Sequence, residues 1–384
     1  MKISIIGAGI GGLTTAISLR KFRPDIQLEI FESSLELKAA GAGLALGANA
    51  VMAFEQLGVK DEVLAVSNVL EMFQILDATG RVITKSDNLA INRNLQTISN
   101  FAVHRADLQT VLLAQIPQIP VHLNKKVWDF RQEGGGVQIR FADGSQHQTD
   151  FVIATDGIHS IFRQMLLPQS KIRFAGYTCW RGVTDMQPAD FQANKATETW
   201  AAGKRFGIVP LPNGRIYWFA CLNADKQKGE RFAAFGKREL QQIFGDLHAP
   251  IAEIISMTDA ERIIWNDIID FPPIKRFAFD RVLLLGDAAH ATTPNMGQGA
   301  CQAIEGAVIL GKTLAKISEP AEAFQAFERK RLKRTALIVN RSWTLGKLAQ
   351  MDNPLAIGLR NFVFRMMPDS MNERQVKALL DVEF

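Results

Sequence analysis

The amino-terminal residues carry a glycine pattern that is typical of a phosphate-binding turn. Gly7, Gly9 and Gly12 follow the spacing G-x-G-x-x-G. The first glycine of such a turn permits a tight bend, the second lets a pyrophosphate approach the backbone, and the third allows a helix and a strand to pack closely. Glu32, twenty positions beyond Gly12, is placed to accept hydrogen bonds from an adenosine ribose. The pattern therefore indicates binding of an adenine dinucleotide, without distinguishing NAD from FAD.

The residues around the glycines predict the strand-helix-strand unit that this chemistry requires. Residues 2–6, which include Ile3, Ile5 and Ile6, predict a buried strand. Residues 11–20 predict a helix, and residues 27–31 predict a second strand. Glu32 then follows the second strand directly. The first 32 residues are therefore expected to form a parallel-sheet unit that places the glycines and the carboxylate at one edge.

Further motifs occur in a fixed order along the rest of the chain. Gly286-Asp287 directly follows a predicted strand, and Pro294-Asn295-Met296-Gly297-Gln298-Gly299 leads into a predicted helix. Asp156-Gly157 follows the predicted strand at 151–154, and His104-Arg105-Ala106-Asp107-Leu108 opens another predicted helix. In these motifs the chain resembles the FAD-dependent aromatic hydroxylase family typified by para-hydroxybenzoate hydroxylase. Within that family it is nearest in motif to urate-type hydroxylases and zeaxanthin epoxidase.

The resemblance implies a set of contacts with the cofactor FAD. Asp287 is expected to bind the ribityl chain, and the segment with Pro294, Gly297 and Gly299 is expected to lie against the isoalloxazine ring. There, the amino terminus of a helix can stabilise negative charge on the reduced flavin. The resemblance further assigns Arg105 to the diphosphate or ribityl side, Asp156 and Gly157 to both FAD and reduced nicotinamide, and Gly43, in the loop Gly41-Ala42-Gly43, to the neighbourhood of the flavin.

The predicted fold class is α/β: a Rossmann-like FAD-binding domain with an inserted, mainly β substrate domain and C-terminal helices. The expected division gives 1–171 to the first part of the FAD-binding domain and 172–270 to the β-sheet substrate domain. Residues 271–318 return to the FAD-binding domain, and 319–384 form the C-terminal helices. The inserted domain is expected because long apolar stretches with turn signals, such as Pro212-Asn213-Gly214, replace the earlier alternation of strand and helix.

Three polar residues on these later strands are candidates for a substrate pocket. Arg181, Arg205 and Tyr217 stand among aromatic residues on segments that predict pairing strands. Most of the aromatic residues are expected to pack in a core, because a sheet buries one face in any case. No catalytic acid or base is assigned from the sequence, and the six histidines show no metal-ligand spacing.

Composition limits the partners and the compartment. The net charge of +5 is modest for 384 residues, so no nucleic-acid partner is expected. Three cysteines without paired spacing favour a reducing, cytoplasmic compartment. No stretch approaches the roughly 18 apolar residues of a membrane span. The sequence leaves the oligomeric state open.

The resemblance implies an FAD-dependent monooxygenase. It is expected to use NADPH or NADH and molecular oxygen to hydroxylate or epoxidise a planar aromatic or conjugated small molecule. Two alternatives stay open on the sequence alone. One is a flavin-dependent reductase of the same fold that does not insert oxygen, and the other is a non-catalytic flavin-binding redox sensor.

Overall fold

The structure is a computed structural model that describes residues 1–37, 42–225, 231–368 and 370–384. Its strands, in chain order, are β1 (Lys2–Ile6), β2 (Gln27–Phe31), β3 (Gly43–Gly47), β4 (Ser67–Val69), β5 (Met72–Asp77), β6 (Val82–Asp87), β7 (Asn100–His104), β8 (Val121–His122), β9 (Val127–Glu133), β10 (Gly136–Phe141), β11 (Gln146–Thr149), β12 (Phe151–Ala154), β13 (Arg173–Thr184), β14 (Lys195–Ala201), β15 (Lys204–Pro210), β16 (Ile216–Asn223), β17 (Ile264–Asp270), β18 (Ala278–Phe279) and β19 (Val282–Leu284).

The α-helices are α1 (Ile10–Phe22), α2 (Ala48–Leu57), α3 (Lys60–Ala65), α4 (Asn88–Leu95), α5 (Arg105–Ala114), α6 (Ile161–Leu166), α7 (Lys237–Phe244), α8 (Ile251–Met257), α9 (Asp287–His290), α10 (Gly299–Lys316), α11 (Pro320–Ala349), α12 (Pro354–Arg365) and α13 (Ser370–Leu380). Among these described helices, none is both long and apolar enough to cross a membrane.

A six-stranded sheet forms the centre of the nucleotide-binding part, with strand order β18-β19-β12-β1-β2-β8. Strands β19, β12, β1 and β2 run parallel to one another. Strands β12 and β19 are wholly apolar, because they are buried on both faces of the sheet. Since the carboxyl ends of parallel strands meet at one edge, the segments that begin at Gly7, Thr155 and Leu285 lie side by side.

A second, seven-stranded sheet has the order β17-β13-β16-β15-β14-β5-β6. One of its faces is buried under α7 and α8, where Trp180, Trp218 and Phe206 form an aromatic core. Because side chains alternate along each strand, Arg181, Arg205 and Tyr217 belong to the opposite face. That face is turned toward the nucleotide-binding part, as the contact between Gly43 and Tyr217 shows.

The second sheet differs in one respect from the expected domain division. Strands β5 and β6 fall within residues 1–171, yet β5 pairs in parallel with β14 and so extends the sheet of the inserted segment. Strands β5 and β6 pair with each other locally, but local sequence carries no signal for the long-range pairing of β5 with β14.

Helix α11 joins the two sheets. Near its start, Phe324 and Phe327 are buried in the core of the six-stranded sheet. Near its end, the ring of Trp343 lies 3.6 Å from the guanidinium carbon of Arg173, at the start of β13. Arg173 in turn forms a bidentate ion pair with the buried Asp270 of β17. The helix therefore fixes how the sheet of the inserted segment sits on the nucleotide-binding part.

Candidate active site

The glycine turn after β1 has the geometry that the sequence pattern predicts. Gly7 adopts φ = 102°, and a Cβ atom at this position would lie 2.5 Å from the carbonyl oxygen of Thr155. A Cβ atom on Gly12 would overlap the carbonyl oxygen of Gly7. Gly9, by contrast, faces open space, and a Cβ atom there would meet no other atom within 4 Å. The turn is thus closed toward the protein and open on the side where a pyrophosphate would approach.

Glu32 lies beside this turn at the end of β2. Its carboxylate accepts hydrogen bonds from the backbone N–H groups of Ala8 and Ser34, both at 2.8 Å, and from the Ser33 hydroxyl at 3.0 Å. Burial alone raises the pKa of this group, but the hydrogen bonds outweigh burial and hold the pKa of Glu32 below its ordinary value. The carboxylate is therefore ionised at neutral pH and fixed within reach of the glycine turn.

A second polar group lies where β19 ends. Asp287 begins α9 and its side chain is open to solvent on one side. Protein crowds the carboxyl group elsewhere, and this desolvation raises the pKa of Asp287, while the positive charge of Arg105 lowers it. Arg105 is exposed at the start of α5, and its backbone N–H donates to the carbonyl of Ala42 at 3.0 Å. The two charges thus face one open space without forming a direct ion pair in the described structure.

The segment that begins at Pro294 borders the same space. It forms a short 3-10 turn, Pro294–Met296, and Gly297 follows with φ = 63°. A Cβ atom on Gly299, the first residue of α10, would lie 4.0 Å from Oδ1 of Asp287. A Cβ atom on Gly297 would lie 3.3 Å from the carbonyl oxygen of Ala45. The start of α10, Asp287 and strand β3 therefore surround one region of the site.

Asp156 lies next to the glycine turn but turns its carboxyl group inward. Oδ2 accepts a hydrogen bond from the N–H of Ile161 at 3.0 Å, and the buried Oδ1 has no partner in the described structure. Burial raises the pKa of Asp156 to about 6. Gly157 adopts φ = 79° with open space around it. The structure thus brings the backbone of this motif to Gly7, while its role toward FAD or nicotinamide stays a prediction.

Gly43 is the point at which the cofactor region meets the second sheet. A Cβ atom here would overlap the ring of Tyr217. The adjoining apolar cluster includes Val183, Val209 and the partly buried Phe219, whose ring centroid lies 6.2 Å from that of Tyr217. Gly43 was expected in a loop, but it is the first residue of strand β3. Gly41 lies outside the described residues.

Arg205 is the centre of a buried polar network between the two sheets. Its guanidinium donates to Glu198 at 2.9 Å, to the side-chain oxygen of Gln350 at 2.7 Å and to Oδ1 of Asn295 at 2.9 Å. The Tyr177 hydroxyl also donates to Oδ1 of Asn295, at 2.9 Å. The network therefore ties the substrate sheet and the end of α11 to the segment that begins at Pro294.

Several members of this network are not evident from the sequence. Asn295 lies within a motif that the resemblance sets against the isoalloxazine ring, but the resemblance implies no contact for Asn295 itself. Tyr177 is one of the aromatic residues of β13, and core packing is the expectation for most of those. Glu198 and Gln350 carry no sequence signal, because their importance comes from long-range contacts with Arg205.

A further buried group is Glu305 of α10. Its carboxylate pairs with Arg331 and Arg334 of α11 and accepts a hydrogen bond from the side-chain amide of Asn49, on α2, at 2.8 Å. The ion pairs of Glu305 with Arg331 and Arg334 thus join α10 to α11.

The residues present fit an FAD molecule. The open side of Gly9 suits a pyrophosphate, the ionised Glu32 suits a ribose, and the solvent-facing Asp287 opposite Arg105 suits a hydroxyl-bearing chain attached to phosphate. No cluster of His, Cys, Asp or Glu within the described ranges has the arrangement of a metal site.

Comparison with known proteins agrees with this geometry. The family described as an FAD binding domain matches residues 1–342. The aurachin C monooxygenase/isomerase of Stigmatella aurantiaca is 36% identical over 369 residues, which cover 96% of this chain and 94% of that protein. The FAD-dependent urate hydroxylase of Klebsiella pneumoniae subsp. pneumoniae is 31% identical over 342 residues, 88% of each chain. The solved structure of Klebsiella pneumoniae HpxO complexed with FAD and uric acid superposes with a TM-score of 0.89 at 27% identity, covering 99% of this chain and 97% of that one.

The chain belongs to the FAD binding domain family. Its predicted resemblance to the FAD-dependent aromatic hydroxylases and its predicted fold class are confirmed, and FAD is its cofactor. Within that family it is a flavoprotein monooxygenase, an oxidoreductase of the NAD(P)H-dependent kind.

Proposed function

We propose that this protein inserts oxygen into a planar aromatic or conjugated small molecule held between the flavin and the seven-stranded sheet. The observation that carries the proposal is the meeting of Gly43 with Tyr217. It brings the polar and aromatic face of the second sheet against the start of strand β3.

The proposed cofactor site has two ends. Gly7, Gly9, Gly12 and Glu32 hold the adenosine diphosphate end, because they form the open turn and the fixed carboxylate. Arg105 and Asp287 hold the linking diphosphate and ribityl region. The isoalloxazine ring lies close to the segment with Pro294, Gly297 and Gly299. The remaining residues around the cofactor are Gly43, Asp156 and Gly157.

Bound FAD supplies the transfer of electrons from NADH or NADPH to molecular oxygen, which the side chains of this protein cannot perform. The protein's own residues bind and orient the ring and keep water away from it. The Arg205 network fixes the position of Asn295, and Tyr217 and Phe219 form an apolar wall for a flat substrate. Arg181, Arg205 and Tyr217 remain the proposed polar residues of the substrate pocket.

Several relatives favour a ring-shaped substrate. Their names refer to urate, to aurachin C, to a 4(1H)-quinolone and to 3-hydroxybenzoate. We therefore place the substrate among flat ring compounds, without choosing between hydroxylation and epoxidation.

We also propose the domain division 1–171, 172–270, 271–318 and 319–384, with strands β5 and β6 counted with the sheet of the inserted segment, to which they bond. The three cysteines are unpaired and buried, which supports a reducing, cytoplasmic compartment.

The test is a ligand screen on the FAD-loaded protein under air. Flat ring compounds, including uric acid, 3-hydroxybenzoate and 2-heptyl-4(1H)-quinolone, are added with NADH or NADPH, and cofactor oxidation and product are measured together. We expect at least one compound to accelerate NAD(P)H oxidation and to gain oxygen. Clean reduction of a ligand without oxygen uptake would show a reductase instead, and FAD that NAD(P)H fails to reduce with every ligand would show a non-catalytic flavoprotein.

A further inference from the structure

Two of the cysteines lie directly opposite each other on neighbouring strands of the seven-stranded sheet. In the antiparallel pairing of β13 with β16, Cys179 stands opposite Cys221. Both side chains are free thiols, and they are buried in one cluster with Tyr177 and Ile268. Because directly opposite residues point to the same face of a sheet, the two thiols lie side by side.

The spacing of such a pair fits a disulfide bond. Directly opposite residues of antiparallel strands have Cα atoms roughly 4.5–5.5 Å apart. A disulfide joins residues whose Cα atoms lie roughly 4.4–6.8 Å apart. Cys179 and Cys221 can therefore be joined while both strands keep their register in the sheet.

The pair lies on the face of the sheet that is turned toward the cofactor region. Tyr177 precedes Cys179 by two positions and therefore lies beside it on this face. The Tyr177 hydroxyl donates to Oδ1 of Asn295 at 2.9 Å, in the segment that the proposed cofactor site sets against the isoalloxazine ring. Reduced flavin that reacts with oxygen in the absence of a substrate yields hydrogen peroxide, so this oxidant would form near the two thiols.

The two thiols are not equivalent. The hydrogen bond from Cys221 lowers the pKa of Cys179 to about 6, and the positive charges of Arg181 and Arg205 act in the same direction, against the effect of burial. The same hydrogen bond, together with burial, raises the pKa of Cys221. The thiolate is the nucleophilic form of cysteine, so we expect Cys179 to react first.

We propose that Cys179 and Cys221 are a modification site at which hydrogen peroxide forms a reversible disulfide. The Cys179 sulfur attacks one oxygen of the peroxide, the O–O bond breaks, and the other oxygen takes up the thiol proton and leaves as water. The Cys221 sulfur then attacks the resulting sulfenic acid, the S–O bond breaks, and a second water leaves with the Cys221 proton. Two thiols and one molecule of hydrogen peroxide thus give one disulfide and two molecules of water.

This disulfide is expected to be easily reduced. Opposite residues of a sheet have Cβ atoms roughly 4.5–5.5 Å apart, whereas a relaxed disulfide brings its Cβ atoms to roughly 3.8 Å. The two strands must therefore draw together slightly, and a strained disulfide has a more oxidising reduction potential. The pair should stay reduced in a reducing compartment and become oxidised only in the presence of peroxide.

The proposal is tested by locating the bond chemically. The FAD-loaded protein is treated with hydrogen peroxide and then unfolded in N-ethylmaleimide, which blocks the remaining thiols, and its peptides are analysed by mass spectrometry. We expect the peptides of Cys179 and Cys221 to be joined with the loss of two hydrogen atoms, while Cys301 carries N-ethylmaleimide. Treatment with dithiothreitol before unfolding should return both thiols to the blocked form.

Three variants make the result specific. Cys179→Ser and Cys221→Ser should each form no internal disulfide with peroxide. Cys301→Ser is the matched control and should keep the bond, because Cys301 is equally buried but lies on α10, where its sulfur accepts a hydrogen bond from the N–H of Gly47 at 3.3 Å. The wild-type peptide map identifies the bond by itself, so the test does not depend on the folding of any variant.

The proposal is wrong if all three cysteines are still blocked by N-ethylmaleimide after peroxide treatment. It is also wrong if Cys179 is converted to sulfinic acid without a bond to Cys221, or if dithiothreitol leaves the folded protein's disulfide intact. The peroxide is added from outside and no NAD(P)H is present, so none of these results bears on the proposed oxygenation.

Discussion

Substitution of Arg205 by methionine tests the buried network that joins the two sheets. The exposed fractions of Arg205 and Glu198 are only 3% and 9%. Arg205→Met therefore leaves the Glu198 carboxylate without its cation in a site that excludes water. Breaking a buried pair in this way costs about 3–5 kcal/mol in the free energy of unfolding. Asn295 and Gln350 also lose their shared donor, which places the expected cost at the upper end of that range.

The double variant Arg205→Met/Glu198→Met separates the ion pair from simple loss of packing. Removing both charges restores an uncharged interior, so the double variant should be less destabilised than Arg205→Met alone. Urea unfolding of the FAD-free protein, followed by tryptophan fluorescence, measures each free energy. A loss of under about 1 kcal/mol for Arg205→Met, or a double variant less stable than the single one, would refute this account of the network.

Three further predictions concern the cofactor site and its support. Burial lowers the pKa of His290 to about 3, so the folded protein keeps this imidazole neutral at pH 5 while the unfolded chain protonates it near pH 6.5. The contribution of neutral His290 to the free energy of unfolding is therefore complete above about pH 6.5 and decreases as the pH is lowered, by about 2 kcal/mol at pH 5. Urea unfolding should show this decrease in the wild type but not in His290→Gln. Gly9→Ala should fold normally yet lose FAD affinity, which flavin fluorescence measures. Gly12→Ala should also lower the melting temperature, because its Cβ atom overlaps the Gly7 carbonyl oxygen. Equal melting temperatures for the two variants would contradict the geometry. Asp287→Ala should weaken FAD binding at least tenfold. It should not destabilise the FAD-free protein, because desolvation already disfavours the Asp287 carboxylate in that protein. Unchanged FAD affinity would show that Asp287 has no contact with the cofactor.

Local patterns in the sequence predicted the cofactor end of the molecule well. Strands β1 and β2, helix α1 and the turn at Gly7 follow from neighbouring residues, because alternating strand and helix signals and glycines at fixed spacing act over short distances. The position of Glu32 beside Ala8 is a consequence of the same unit.

The substrate end depended on contacts that no local pattern encodes. The pairing of β5 with β14 joins residues more than a hundred positions apart, and it was not expected. The roles of Glu198 and Gln350 likewise arise only when β14, β15 and the end of α11 meet around Arg205. The aromatic residues of β13 and β16 were expected to divide between core and pocket, and the alternation of the strands decides which side each one takes.

The central claim is that this chain uses FAD to insert oxygen into a ring compound, and labelled oxygen tests it most directly. The FAD-loaded protein is incubated with NAD(P)H, the most effective ligand of the screen and ¹⁸O₂, and the mass of the product is measured by mass spectrometry. The account predicts one ¹⁸O atom in each product molecule, with the second atom of O₂ released as water. A product that takes its oxygen from water, or a ligand that returns unchanged while all the oxygen becomes hydrogen peroxide, would contradict it.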